Sequence, residues 1–225
     1  MIGIIGAMPC EVDQILTWCE EKKEVNDAKR QFIEAKAFGK DIVIALSGVG
    51  KVNAAMTACI MCERYELDYL INIGVAGGLR ADLKVLDIVI SDQVIQHDFD
   101  TSFLDGEAGI GLISQSDVQL RKVVAEVMER LEYPFVVGDI ASGDQFIADE
   151  SQIKKILQHF PKAVAAEMEA GAIAQVAQSY QVPFVVLRSL SDVAFQEDSH
   201  LDFEKYKEIA SERSSNFTKA LIQSL

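Results

Sequence analysis

The stretch AVAAEMEAGAIA, residues 163–174, contains the unit that decides the fold. Ala163 to Ala166 form an apolar run of strand length, and small apolar residues with helical character follow the EME triplet. Glu167 and Glu169 therefore stand at a strand-to-helix junction among apolar neighbours. Soluble helices usually keep their carboxylates on a polar face, so acids at the edge of a core require a specific reason. Ligand-binding groups of α/β proteins gather where strands end, and this junction is a candidate site.

The same alternation of strand and helix runs along the whole chain. Near-continuous apolar runs are typical of a sheet that is covered on both faces, and the alternation predicts a layered α/β fold with a mixed or mainly parallel sheet. We expect residues 1–225 to form a single domain, with a TIM barrel as the alternative fold. The predicted strands are residues 2–7, 41–46, 69–74, 86–92, 135–142, 163–166 and 183–192, and the predicted helices are residues 11–22, 51–65, 116–132, 150–159, 168–180 and 203–225.

Composition restricts the class of function. The chain has 225 residues, of which 49% are hydrophobic and 25% charged, so a full core is expected and disorder is not. A net charge of −14 argues against partners rich in phosphate, such as nucleic acid or an anionic membrane surface. No apolar stretch reaches the roughly 18 residues of a membrane span. The N-terminus has no basic segment of the signal-peptide kind, and the four cysteines suit a cytoplasmic protein with reduced thiols.

Three familiar motifs are set aside. Cys59 and Cys62 form a C-x-x-C pair, but they fall late in a predicted helix, where the helix dipole does not activate a thiol, so packed core cysteines are expected. The sequence SGVGKV ends like a P-loop, yet Ala45 and Val52 stand where that motif requires Gly and Ser or Thr. The Rossmann G-x-G-x-x-G motif is absent. We therefore expect neither an NTPase nor a dinucleotide enzyme, and no residue pattern calls for a metal ion or an organic cofactor.

Four acids follow predicted strands: Glu11, Glu167, Glu169 and Asp192. Singly, Glu11 could be a carboxylate favoured by a helix dipole and Asp192 a helix cap or turn former. Together, acids with few bases suit a reaction whose transition state is positive at carbon. Cleavage of a glycosidic bond is such a reaction, because it passes through an oxocarbenium-like state.

With these residues in view, the chain resembles the 5′-methylthioadenosine/S-adenosylhomocysteine nucleosidases of the nucleoside phosphorylase superfamily. The resemblance rests on GIIGAMPCEV, SGVGKVNAA, AGGL, LKVLDIVISD, SGDQFI, EMEAGAIA and RSLSDVA, and it extends over effectively the whole chain. It implies a three-layer α/β sandwich around a mixed, partly barrel-like central sheet, a homodimer, and hydrolysis that releases adenine and a 5-thio-substituted ribose.

The resemblance also implies roles for individual residues. Asp192 would protonate N7 of adenine, and Glu11 would hold or deprotonate the attacking water. Glu169 would bind the ribose hydroxyls, with Met168 beneath the sugar, while Glu167 either contributes to binding or binds backbone amides. An acid catalyst must keep its proton near neutral pH, so the pKa of Asp192 is expected above that of an ordinary Asp.

The remaining implied roles concern the walls of the pocket. Phe146 would stack on adenine, and backbone groups near Ile147 and Val193 would read its edge. Arg188 and Ser191 would position the acid and the network on the water side. The expected lining of the pocket for the 5′-alkylthio group is Met8, Val49 and Phe203.

Hydrolysis is expected rather than phosphorolysis. Phosphorylases of this superfamily hold phosphate with arginines, one of them soon after the first strand, whereas this chain has no Arg before Arg30. A carboxylate at Glu11 would repel a phosphate dianion and would suit water activation.

Two features depart from the family pattern. Val75 stands where many relatives carry Ser, and residues 97–116, predicted to be a long loop or lid near the neighbouring subunit's site, lack the family's Pro-containing form. The alternatives are a nucleosidase for another purine nucleoside, such as aminodeoxyfutalosine or inosine, and a nucleoside-binding protein without catalysis.

Overall fold

A computed structural model describes the backbone of residues 1–193 and 199–225 and the side chains of residues 1–193 and 206–225. Within these ranges the strands are Ile2–Gly6 (β1), Glu20–Asp27 (β2), Arg30–Ala37 (β3), Lys40–Leu46 (β4), Tyr69–Gly78 (β5), Ile88–Asp100 (β6), Ile110–Gln115 (β7), Phe135–Ser142 (β8), Ala163–Glu167 (β9) and Phe184–Val193 (β10). The helices are Pro9–Leu16 (α1), Lys51–Arg64 (α2), Ser102–Asp105 (α3), Val118–Arg130 (α4), Glu150–His159 (α5), Ala170–Ser179 (α6) and Ser199–Ser224 (α7), with a 3₁₀ turn at Gly106–Gly109.

The strands form one mixed sheet in the order β10-β6-β8-β9-β5-β1-β4-β3-β2, with β7 paired to β6. Strand β5 also pairs in parallel with β10 and antiparallel with β9, so β5, β10, β6, β8 and β9 close into a ring. The strands β1, β4, β3 and β2 extend from this ring as an open sheet. The expected mixed, partly barrel-like α/β fold is confirmed, and the TIM barrel alternative is wrong because the sheet is neither eight-stranded nor all parallel.

Helices cover both faces of the sheet, as the continuous apolar strands predicted. Along β1, Ile5 packs with α2 and α6 in one core cluster, whereas Ile4 packs with α1, α4 and α7 in the other. All five residues of β1 are buried. A third cluster joins α5, through Ile153 and Ile156, to the outside of β9. This arrangement gives the three layers of the sandwich.

The hairpin β2–β3 was not predicted. A helix was expected over residues 11–22, but α1 ends at Leu16 and β2 begins at Glu20. The sequence of β2, EEKKEVND, is mostly exposed and has no apolar face, and such a charged strand is typical of a sheet edge. The pairing of β2 with β3 depends on tertiary contacts, so the local hydrophobic periodicity does not predict this strand.

Residues 97–116 are not the long irregular loop that was expected. Strand β6 continues to Asp100, and α3 and the 3₁₀ turn lead directly into β7, which pairs back on β6. Most of the Gly and polar residues that suggested a loop occupy the connection of this β-hairpin, where Gly106 has a positive φ angle, and Gly111, also with a positive φ angle, lies at the start of β7. The segment therefore forms an ordered β-hairpin whose connection is helical.

Candidate active site

A cavity of about 130 Å³ opens where the strands of the ring and of the open sheet end. Strand β1 leads into its floor through Glu11, β8 supplies the wall with Phe146, and β9 and β10 contribute Glu169 and Asp192. The expectation that the acids after the strands converge is therefore met by the geometry. The cavity is lined by Ala7, Met8, Glu11, Val49, Val75, Ala76, Gly77, Gln145, Phe146, Ile147, Ala166, Glu167, Met168, Glu169, Ser191 and Asp192.

Glu11 lies in the first turn of α1 with its carboxylate folded back towards the chain. The carboxylate accepts hydrogen bonds from the backbone N–H groups of Ala7 at 2.6 Å, Met8 at 2.9 Å and Val75 at 3.2 Å. Burial raises the pKa of this carboxyl above its ordinary value, and the Arg188 charge and the three amides offset part of that rise. A buried carboxylate held in this way is fixed in position and more basic than a carboxylate in water, as a general base requires.

Glu167 and Arg188 form a buried ion pair directly beneath the cavity. An Arg188 nitrogen donates to Oε2 of Glu167 at 2.5 Å, and the same nitrogen donates to Oδ1 of Asn72 at 2.6 Å. Glu167 also accepts the N–H groups of Glu169 and Ala170 at the start of α6. Of the two alternatives for Glu167, amide binding is therefore present, and its contact with Arg188 neutralises both charges. Arg188 does not line the cavity.

Glu169 reaches the opposite side of the cavity from the same junction. Its Oε1 accepts the Gly50 N–H at 2.8 Å, so it contacts the beginning of α2. Burial, together with the nearby charge of Glu167, raises the pKa of the Glu169 carboxyl to about 8. This rise favours the protonated carboxyl near neutral pH, and a protonated carboxyl can both donate and accept a hydrogen bond. Met168, between these two acids, is half-buried on the cavity wall.

Asp192 enters the cavity from a bulge in β10. The register against β5 shifts between Leu190 and Asp192, leaving Ser191 as the extra residue. The Ser191 hydroxyl donates to Oδ1 of Asp192 at 2.8 Å. Opposite, a Cβ atom on Gly77 would lie 3.0 Å from Oδ2 of Asp192, so the glycine makes room for the carboxyl. The bulge and the hydroxyl hold Asp192 over the cavity.

Apolar side chains form the rest of the wall. Phe146 is 47% exposed and Val49 50% exposed, so both present apolar surface that nothing in the described chain covers fully. Met8, Val75 and Ile147 complete this lining. The Val193 side chain, by contrast, is fully buried in the core and does not face the cavity. Phe203 lies outside the residues whose side chains the structure describes.

Several residues that line or support the cavity were not predicted from the sequence. Asn72 is buried within the apolar strand β5, where it donates to the Ile5 carbonyl and orients Arg188. An amide inside the run YLINIG was the available signal. Gly74 and Gly77 were seen only as a glycine-rich strand end, although each lies against a carboxyl group of the site. Gln145 also lines the cavity and carried no signal in its pattern.

The cysteine pair does not have the environment of a redox centre. Cys59 and Cys62 lie in the second half of α2, and burial raises the pKa of the Cys62 thiol to about 11, which disfavours the reactive thiolate. Among the residues whose side chains are described, no group of three His, Cys, Asp or Glu is placed to hold a metal ion. The described helices include none that is both long and apolar enough to cross a membrane.

Comparison with known proteins places this geometry in a family. The sequence profile of the phosphorylase superfamily matches residues 1–223. The 5′-methylthioadenosine/S-adenosylhomocysteine nucleosidase of Tolumonas auensis is 41% identical, with 100% of this chain and 99% of that protein covered. The nucleosidase of the same name from Geobacillus sp. is 38% identical over 100% of this chain and 98% of its own length.

Comparison with solved structures gives the same family. The Neisseria meningitidis 5′-methylthioadenosine/S-adenosylhomocysteine nucleosidase, in complex with methylthio-immucillin-A, superposes with a TM-score of 0.94 at 32% identity and covers 100% of this chain and 99% of its own. The futalosine hydrolase of Helicobacter pylori has a TM-score of 0.93 at 31% identity, covering 100% of this chain and 97% of its own. The chain belongs to the phosphorylase superfamily and, within it, to the family of 5′-methylthioadenosine/S-adenosylhomocysteine nucleosidases.

Proposed function

We propose that the protein hydrolyses the N-glycosidic bond of 5′-methylthioadenosine and S-adenosylhomocysteine, releasing adenine and the 5-thio-substituted ribose. The observation that carries the proposal is the convergence of Glu11, Glu169 and Asp192 on one cavity that has an aromatic wall at Phe146. Relatives of the same family, similar over their whole length, carry this activity in their names. A neighbouring structure of that name holds a methylthio-immucillin ligand.

The reaction divides between the two sides of the cavity. Asp192 transfers a proton to N7 of the purine, the bond between C1′ and N9 breaks, and its electron pair passes to the base, which leaves neutral. The ribose then carries positive charge at C1′. A water oxygen bonds to C1′, and Glu11 accepts the proton that the water loses. One water is consumed, and each carboxyl returns to its starting state when the Glu11 proton is passed back through solvent.

The other carboxylates would bind rather than react. Glu169 is rigidly placed by the Gly50 amide and would bind the ribose hydroxyls, with Met168 packing under the sugar. Phe146 would stack on adenine, and the backbone near Ile147 and Val193 would read the edge of the base. Positioning of this kind increases the reaction rate because the bound substrate has already lost the translational and rotational freedom that the transition state does not allow.

The charges around the cavity favour water over phosphate as the nucleophile. None of the described lining residues is Lys, Arg or His. Arg188, the nearest buried cation, is held by Glu167 and Asn72. Arg30 is also engaged, because it donates to the Ser47 carbonyl at 2.7 Å and to Asn53 at 2.6 Å. Among the residues whose side chains are described, a phosphate dianion would meet four carboxyl groups and no cation in the cavity lining, so we propose hydrolysis.

We further propose that residues 1–225 act as one domain, in a cytoplasmic homodimer with a role in methionine salvage. Large apolar side chains are exposed on α2, at Val52 and Met56, and in the connection between β6 and β7, at Phe103 and Leu104. Exposed apolar side chains of this kind are available for a protein interface. Residues 97–116 would then lie near the neighbouring subunit's site.

A second candidate function is hydrolysis of another purine nucleoside, such as aminodeoxyfutalosine or inosine. The observation that favours it is the similarity to the Helicobacter pylori futalosine hydrolase, whose TM-score is only 0.01 below that of the Neisseria structure. A binding protein without catalysis is disfavoured, because binding alone does not require both Glu11 and Asp192.

Product analysis tests these proposals directly. The protein is incubated separately with 5′-methylthioadenosine, aminodeoxyfutalosine and inosine, each with and without phosphate, and the products are separated chromatographically. Equal release of adenine and methylthioribose in both conditions is the expected result. A requirement for phosphate would make the protein a phosphorylase, cleavage of only aminodeoxyfutalosine or inosine would favour the second function, and calorimetric binding without product would favour the binding protein.

A further inference from the structure

Asp98 lies outside the cavity but contacts two segments that border the cavity. These are the start of α2 and the loop that follows β8. Asp98 follows the buried part of β6, and its Oδ1 accepts the Lys51 ammonium at 2.6 Å. Its Oδ2 accepts the backbone N–H of Asp144 at 3.0 Å. One carboxylate thus joins the first residue of α2 to the loop after β8, which carries Phe146.

The same two segments are joined a second time. Oδ1 of Asp144 accepts the Lys51 N–H at 2.7 Å. The N-cap residue of α2 is Gly50, which has no side chain to satisfy the first amides, so Asp144 supplies the missing cap from another loop. Gly50 has a φ angle of 95°, and a Cβ there would lie 3.2 Å from Oδ1 of Asp144, so both its conformation and the close approach favour glycine.

The start of α2 also holds the sugar side of the cavity. Gly50 donates its N–H to Glu169, and the next residue, Lys51, contacts Asp98 and Asp144. A displacement of this turn would therefore move the partner of Glu169 and the loop of Phe146 together. Gln96 adds to the connection, because it accepts from Lys51 at 3.3 Å and donates to the Gly171 carbonyl in α6 at 3.2 Å.

We propose that Asp98 is a positioning residue for the reaction, which clamps Lys51 and Asp144 so that Phe146 and Glu169 are held at the spacing of one bound nucleoside. The inference rests on the proposed function for its consequence, but the clamp itself is a property of the fold. Asp98 touches no reacting atom, and it acts only through the two segments it joins.

The environment of Asp98 favours the charged form that a clamp needs. Burial works to raise the pKa of its carboxyl, but the hydrogen bonds from Lys51 and the Asp144 amide outweigh burial and hold the pKa below its ordinary value. Hydrogen bonds to an ionised acceptor are stronger than neutral ones. A neighbouring acid, Asp100, offers a contrast, because its carboxylate bonds locally to Ser102, through the backbone amide at 2.8 Å and through the side chain.

Hydrogen exchange tests the clamp without reference to catalysis. In Asp98→Asn, we expect amides of residues 143–146 and of residue 51 to exchange about tenfold faster, because two charge-assisted contacts are weakened. The matched control Asp100→Asn should leave both segments unchanged. Faster exchange in only one segment, or in neither, would overturn the proposal that Asp98 joins them.

A binding cycle tests the consequence. Asp98→Asn should weaken adenine binding about tenfold by calorimetry and raise KM more than it lowers kcat. In a Phe146→Ala background, the same change should have no further effect on adenine, because Asp98 acts through that ring. An undiminished effect in that background would show a merely structural role and overturn the proposal.

Variants at Lys51 complete the test. Lys51→Arg keeps a cation for Asp98 and should retain adenine affinity, whereas Lys51→Met should match the Asp98→Asn variant, and the double variant should be no worse than either. Additive losses would contradict a shared clamp. If the wild-type protein neither binds adenine nor cleaves the nucleoside, the proposed function fails, while the exchange experiment still decides whether the clamp exists.

Discussion

A Cβ atom on Gly74 would lie 2.7 Å from Oε1 of Glu11, closer than nonbonded atoms of this kind approach each other. The glycine also has a φ angle of 155°, which L side chains rarely adopt. Strand β5 therefore leaves space at this point for the carboxylate of a residue on α1. The absence of a side chain at Gly74 fixes where Glu11 can sit.

Gly74→Ala should reduce hydrolysis by two orders of magnitude or more. The added methyl group pushes the Glu11 carboxylate away from its three amides, and a general base typically contributes about 10²–10⁴-fold to rate. Steady-state kinetics with 5′-methylthioadenosine gives the measurement. The control is Gly39→Ala, at a φ angle of 77° with no atom near its Cβ position. That variant bears backbone strain without touching the site, so it should lose stability but keep kcat; an equal loss of kcat in both variants would contradict this explanation.

Gly77→Ala should have a smaller effect of about tenfold on kcat. Its Cβ would meet Oδ2 of Asp192 at 3.0 Å, and the carboxyl must shift by only a few tenths of an ångström. The next residue gives a matched control, because a Cβ on Gly78 would also have its nearest atom at 3.0 Å, but that atom is a methyl group of Leu190. If Gly78→Ala lowers kcat as much as Gly77→Ala, contact with the acid is not the cause.

Asp192→Asn should lower turnover by at least two orders of magnitude while the protein stays folded. Asn keeps the shape and the hydrogen bond from Ser191 but has no acidic proton to give to the leaving base. Kinetics and thermal melting are compared with those of the wild type. An active Asn variant would remove Asp192 from the role of general acid.

Hydrophobic patterning predicted most of the buried strands and the helices of the fold. The elements that it did not predict have features in common. The strands that patterning found have long apolar runs buried on both faces, as in β1 and β10. Strands β2, β3 and β7 were missed because edge and hairpin strands are selected by pairing, and their exposed residues follow no apolar period. The end of α1 was placed too late for the same reason.

The site was easier to predict than the contacts that support it. Glu11, Glu169 and Asp192 stand out because a charge beside an apolar strand is costly without a partner or a function. Asp98 and Asp144 are ordinary acids in polar segments. Their structural roles depend on contacts with segments that are distant along the chain. Local sequence carries no sign of such long-range pairing, so only the folded structure could show it.

Glu169 makes stability depend on pH in a predictable direction. The pKa of this carboxyl is raised from 4.5 to about 8 in the folded protein, so the folded state holds a proton that the unfolded chain has already lost. Stability from this group therefore falls as pH rises from about 4.5 to about 8 and is constant beyond. Glu169→Gln removes this cost, with an upper limit of roughly 5 kcal/mol at about 1.4 kcal/mol per pKa unit.

Urea unfolding at pH 5, 7 and 9 measures the effect. The stability difference between Glu169→Gln and the wild type should grow in favour of the variant across this range, although the variant binds the nucleoside more weakly. Glu150→Gln, an exposed change at the start of α5, is the control and should leave the dependence on pH unaltered. A difference that stays constant across this range would show that Glu169 is already ionised in the folded protein.

The ion pair of Glu167 and Arg188 should be needed as a unit. Arg188→Met leaves a carboxylate buried without its cation, and such breakage typically costs about 3–5 kcal/mol. Adding Glu167→Gln removes the orphaned charge while keeping an oxygen for the Ala170 amide, so the double variant should recover part of the loss, which urea unfolding measures. Arg64→Met, at an ion pair with both side chains more than 40% exposed, should cost at most about 1 kcal/mol. If the loss in the double variant equals the sum of the losses in Arg188→Met and Glu167→Gln measured singly, the two residues do not act as one pair.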